Sequence, residues 1–138
     1  MNEIHITTGD VTYALLNEFG EKIGQIRFNP NDLDLYKRAE EIEKFFSKKR
    51  VDTSKDDCYE ECMKFSEEIK EKFNYLFNRN VSDDIFHVCN PLTVVGNGEL
   101  YFIVALDACM DVIGKERQKA NEALEARVAE AVKEITEE

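Results

Sequence analysis

The sequence is short of chain-breaking residues and short of positive charge. It has 2 prolines and 6 glycines in 138 residues, with no low-complexity linker and no internal repeat. A single domain is the expectation for that length. Lysine and arginine number 18 against 29 aspartates and glutamates, a formal net charge of −11. No basic stripe offsets this, so a phosphate-rich surface is repelled, which argues against nucleic acid and anionic membrane as partners. The longest apolar run, Tyr101 to Leu106, falls far short of the roughly 20 residues that span a bilayer. The N-terminus, MNEIHITTGD, has neither a basic region nor an apolar core and does not read as a secretion signal. A cytosolic protein is expected. Its four cysteines, Cys58, Cys62, Cys89 and Cys109, are then reduced thiols packing as small apolar groups.

What the chain has is one dominant stretch, Glu99 to Ile113, apolar nearly all the way round. Its charges after Glu99 are Asp107 and Asp111, four apart, with Lys115 four further on. On a helix this leaves one narrow polar stripe, and such a helix is expected to be covered on its other sides. Leu100 to Leu106 alone suits a buried strand, but the unbroken run to Ile113 favours helix. Beyond Lys115 the pattern turns amphipathic up to Glu138. One long helix is expected, half core and half projecting arm, dividing the chain into a body at 1–114 and an arm at 115–138.

The remaining elements follow from periodicity. Val11, Tyr13 and Leu15 alternate with Thr12, Ala14 and Leu16, and a polar turn with Gly20 leads to Ile23, Ile26 and Phe28. A hairpin is expected, with a bulge at Gly24 and a short third strand at Ile4-His5-Ile6. Asn29 or Asn31 then caps a first helix over 33–49, whose apolar face is Leu35, Ala39, Ile42 and Phe46. A polar link at 50–55 leads to a second helix over 56–77. Its face is Cys58, Cys62, Phe65, Ile69, Phe73 and Leu76, widened by Tyr59, Met63 and Phe77. Asn78-Arg79-Asn80 ends it, Ser82 caps a short helix, and Asn97 caps the last one. The fold class is α+β: two or three antiparallel strands packed on three to four helices, the last one long.

Little of this supports bond-making chemistry. Cys58, Cys62, His87 and Cys89 have tolerable spacing for zinc, but both helical cysteines lie in phase with the core stripe, and His87 and Cys89 point apart on a helix. A thiol–imidazole pair, Cys89 with His87 or Cys109 with His5, lacks the positive setting a thiolate needs. Asp107 and Asp111 read as a solvent stripe, with Asp111 paired to Lys115, rather than as an acid–base pair. Gly96-Asn97-Gly98 lacks the glycine and lysine pattern of a phosphate loop. No cofactor or metal is expected. The arm carries a thin apolar seam, Ala120, Leu124, Val128, Ala131 and Ile135, which is marginal alone and hints at a protein partner.

Two stretches together resemble a known family. One runs from Asn17 through Phe28-Asn29-Pro30-Asn31-Asp32 into an acidic helix at Tyr36 to Phe46. The other is Phe73 to Phe77 followed by Val81 to Asn90-Pro91 and a final helix. This order is similar to the small tail assembly chaperones of long-tailed phages and prophages of Gram-positive bacteria. The resemblance covers most of residues 11–113. It implies no enzyme activity and a place in the cytoplasm of the bacterial host. It implies binding to the long tape measure protein, keeping it soluble, and recruitment of the major tail protein; a holder of such clients is also expected to self-associate into a homo-oligomer. The arm lies beyond the resemblance. The expected protein-binding residues are the seam together with Val11, Tyr13 and Phe28 of the hairpin. The competing expectation is a mobile-element regulatory or counter-defence protein that sequesters a host protein or a small ligand.

Overall fold

A computed structural model describes residues 1–49 and 58–136. The expected link at 50–55, and the first two residues of the expected second helix, lie outside the described residues. The fold is α+β: a hairpin, then helices, the last of them long. In the hairpin, β1 (Val11–Leu16) runs antiparallel to β2 (Lys22–Phe28), with Val11 opposite Phe28 and Tyr13 opposite Ile26. Asn17 shapes the turn: its Oδ1 accepts the Phe19 and Glu21 N–H groups, each at 3.0 Å. Gly20 sits at φ +79° there, as the turn requires. Leu15 pairs with Gly24 but Leu16 with Lys22, so the extra residue of the bulge is Ile23, one before the expected Gly24. No third strand forms at Ile4-His5-Ile6; residues 1–10 are exposed and make no ladder.

Helix α1 (Leu33–Lys48) is capped by Asp32, whose Oδ1 accepts the Asp34 N–H at 3.0 Å. Asn29, an expected cap, instead folds the approach by accepting the Asn31 N–H at 2.9 Å. Helix α2 (Cys58–Phe77) ends in Asn78 at φ 54°, with the Asn78 N–H on the Tyr75 carbonyl and the Arg79 N–H on the Asn74 carbonyl. That is a left-handed helix stop in which asparagine replaces the usual glycine. Helix α3 (Ser82–Phe86) is not capped by Ser82, which is buried inside it. Asn74 reaches across from α2 instead. Its Oδ1 accepts the Val81 and Ser82 N–H groups at 2.8 Å each, and its Nδ2 donates to Ser82 Oγ at 3.1 Å.

The last helix, α4 (Tyr101–Thr136), starts later than expected. Ahead of it a two-residue ladder joins β3 (Val94–Val95) to β4 (Glu99–Leu100) around a single tight turn at Gly96–Gly98. Asn97 takes φ 65° in that turn and caps nothing; the free Tyr101 and Phe102 N–H groups donate to the Thr93 and Pro91 carbonyls at 2.8 and 3.0 Å.

The core sits where these helices meet under the hairpin. Leu35, Ala39 and Ile42 of α1 and Phe65, Ile69, Phe73, Leu76 and Phe77 of α2 are buried, as their spacing requires. Tyr59 and Met63, expected to widen the α2 face, are exposed. From α4 come Phe102, Leu106 and Ile113. Ring contacts link the layers: Phe46 to Phe102 at 5.1 Å, Phe73 to Phe86 at 4.9 Å and Phe28 to Phe77 at 4.7 Å. Each such burial stabilises by about 1.5–3 kcal/mol.

Candidate protein-binding groove

The oily half of α4 is not covered all round, contrary to expectation. One face, Phe102, Leu106 and Ile113, packs into the core. The adjoining face, Val104, Ala105, Ala108, Cys109 and Val112, looks into an open groove of about 640 Å³. The hairpin forms the opposite wall with Tyr13, Leu15 and Ile26, and Ile85 and Val88 contribute from α3 and the residues after it. Val104 remains 38% exposed although it lies in the most apolar stretch of the chain. Small side chains at 105, 108 and 109 keep this face low, so the groove is a trough between α4 and the hairpin.

Local hydrogen bonds hold the trough open. The Ile23 bulge turns its carbonyl to His87, whose Nε2–H donates to it. Asp84 Oδ2 accepts the Gln25 N–H at 2.9 Å. Gly24 permits that approach, because a Cβ there would lie 2.9 Å from the Asp84 carbonyl oxygen. At the other side Tyr101 donates its hydroxyl to the Ile85 carbonyl at 2.7 Å, and burial raises the phenol above its ordinary value, keeping it a neutral donor. The hairpin, α3 and the start of α4 are thus clamped around the trough by polar contacts.

The lining offers little for chemistry. Cys109 is half-buried by surface area but enclosed by apolar atoms, which pushes its thiol up to about 12. A thiol held that far up is not a nucleophile near neutral pH. Below pH 9 both folded and unfolded chains keep this proton; between 9 and about 12 only the folded chain does, so stability falls as pH rises. Urea midpoints at pH 8 and pH 10 are expected to drop more for the wild type than for Cys109→Ala. An equal drop in both would contradict the burial of this thiol.

The other pairings weighed from sequence are dispersed. His87 is engaged with the hairpin bulge, and His5 lies on the exposed N-terminal segment, 3.3 Å from Glu3. Asp111 pairs with Lys115 at 3.0 Å, as the spacing suggested, and Asp107 is exposed. No three His, Cys, Asp or Glu side chains are grouped to hold a metal among the described residues. No helix among them is long and apolar enough to cross a membrane.

The expected protein-binding residues divide. Phe28 is a core residue, 4% exposed, stacked on Tyr13 at 5.0 Å and packed on Phe77, and what is left open of it belongs to the groove lining. Tyr13 is half-buried and lines the groove, while Val11 is 42% exposed at the open end of β1. On the arm, Leu124, Val128 and Ile135 are exposed, Ala131 with them, and Ala120 is half-buried. Val132 was missed by the sequence pattern and is also exposed, at 52%. The body holds α4 beyond the expected boundary at 114: Arg117 lies 5.0 Å over the Tyr36 ring, and the Tyr13 phenol is raised by burial and further by Glu116. From Asn121 to Thr136 every residue is exposed. Because the arm continues a helix already anchored in the core, it needs no new nucleus. The groove itself had no signal in the sequence, since an all-round apolar helix does not say which side stays open.

Comparison with protein-family models, with curated proteins and with solved structures gave no match.

Proposed function

We propose that the chain is a non-catalytic assembly chaperone that receives the apolar face of a client helix in the α4–hairpin groove. The observation that carries this is the groove: about 640 Å³, open, and walled mainly by apolar side chains. Three or four apolar side chains from successive turns of one helix suit such a trough. One carboxylate, Glu18, lines it and has no ion-pair partner among the described residues. The client helix therefore flanks its apolar face with lysine or arginine. The resemblance to phage tail assembly chaperones supplies the specific version: the client is the tape measure protein, held soluble while tail tube subunits are recruited, and the chaperone is a homo-oligomer in the cytoplasm of the bacterial host. High net negative charge suits a holder of oily helices, because it opposes aggregation of the loaded complex.

A second reading draws on the groove's size, which also lies in the range of small-ligand pockets. This is the sequestering regulator, with an apolar small molecule in place of a helix. Titration of two fluorescent 18-residue peptides separates them: one an amphipathic leucine–lysine helix, the other its leucine–glutamate counterpart. The chaperone reading expects the first to bind and the second to fail. Equal failure of both, with a medium-chain fatty acid bound instead, overturns it.

A further inference from the structure

The arm's exposed seam and its charges fit a second copy of the same arm running the opposite way. Leu124, Val128, Ala131 and Ile135 step by four, three and four along one face, all exposed. Laid antiparallel about a point between residues 129 and 130, two arms set Leu124 against Ile135 of the other copy and Val128 against its Ala131, twice by symmetry. In that register Arg127 of each copy runs alongside position 132 and reaches Glu134 of the other, flanking the seam. Neither Arg127 nor Glu134 has an ion-pair partner within its own chain among the described residues. On the opposite flank the stem of Glu125 covers Val132, the remaining exposed aliphatic group.

The alternatives fit less well. A parallel pair would set Arg127 of each copy beside Val132 of the other, leaving the arginine without a charge partner across the seam. It would also bring two bodies together from chains of formal charge −11 each. The antiparallel pair holds the two Gly114 positions about 46 Å apart at 1.5 Å per residue, well beyond a screening length of about 8 Å. An arm seated in a neighbour's groove would bring Glu122, Glu125 and Glu130 to a groove already lined by Glu18.

We infer that the protein forms a two-fold symmetric dimer through antiparallel pairing of residues 121–136 of α4, with Arg127 to Glu134 of the second copy as its specifying contact. The seam is short, so the dimer is concentration-dependent. The dimer carries two grooves, and a client long enough to occupy both gains effective affinity. The pairing does not depend on what the groove holds, because R127E leaves the groove unchanged; either idea can fail alone.

Sedimentation equilibrium of the full chain over a range of concentrations tests it. The wild type is expected to rise from one chain mass to two. R127E and E134R, both on the exposed arm, are each expected to weaken the dimer about tenfold or more, since each sets like charges together twice. An equimolar mixture of the two variants is expected to recover wild-type association. In the mixed dimer one copy is acidic at both positions 127 and 134 and the other is basic at both, so opposite charges meet at each of the two contacts. A wild type that stays monomeric, an association indifferent to both substitutions, or a mixture without recovery would each overturn the inference. Circular dichroism of the variants confirms that the arm is still helical.

Discussion

Replacing Asn74 by alanine is expected to unfold the joint between α2 and α3 and to cost about 3 kcal/mol. The backbone N–H groups of Val81 and Ser82 both donate to this one side-chain oxygen, at 2.8 Å each, and Val81 and Ser82 are buried. Leaving buried donors without acceptors costs about 1–3 kcal/mol for each group. The left-handed stop at Asn78 aims the chain so that these two groups point back at Asn74. Asn74→Asp is the control. A carboxylate still accepts from both N–H groups and loses only the donation to Ser82 Oγ, which can turn its own hydrogen inward. Urea denaturation of both variants is therefore expected to show a large loss for alanine and a small one for aspartate. Similar losses would mean that packing, rather than these two bonds, sets the joint. Because α3 supplies Ile85 to the groove and Asp84 to the hairpin clamp, the alanine variant should also bind helix peptides poorly.

How far the sequence could be read follows from the range of each interaction. The faces of α1 and α2 were legible because Leu35, Ile42, Phe65, Ile69 and Phe73 repeat at helical spacing, and burial follows that spacing directly. Caps were legible only when they were local in the expected sense. Asp32 displaced Asn29 and Asn31 within three residues, but the cap of α3 comes from Asn74, eight residues before Ser82 and on another helix. The start of α4 is satisfied by carbonyls of Pro91 and Thr93, which no side-chain pattern announces. Phe28 alternates properly for a strand, yet strand alternation gives two faces without saying which meets the core. Phe77, distant in sequence, decided it. The groove was the least legible feature. Val104, Ala108 and Val112 look like core in a linear reading, and only the position of the hairpin leaves them open.

The second large effect is expected at Val104. Its side chain is 38% exposed at the groove and takes no part in the ring contacts of the core. Val104→Asp puts a carboxylate into the trough with water still able to reach it, so the fold should survive with little loss of stability. A client helix, however, would have to desolvate that charge against its own apolar face. Binding of the leucine–lysine peptide is expected to fall about tenfold or more, the scale of losing a central buried contact. Val128→Asp on the arm makes an equal change of charge and is expected to leave peptide affinity for a single groove unchanged. If the two substitutions weaken the peptide alike, total charge and seam, rather than the groove, would account for binding.

The central claim is that this chain works by offering the open side of α4 to another helix. Backbone amide shifts of the ¹⁵N-labelled protein, followed as the leucine–lysine peptide is added, test that most directly. The expected result is movement clustered at Leu15, Val104, Ala108 and Val112, with the arm from Leu124 to Ile135 unmoved at concentrations where it is monomeric. Shifts confined to the arm, or scattered over the acidic surface with the groove silent, would contradict it.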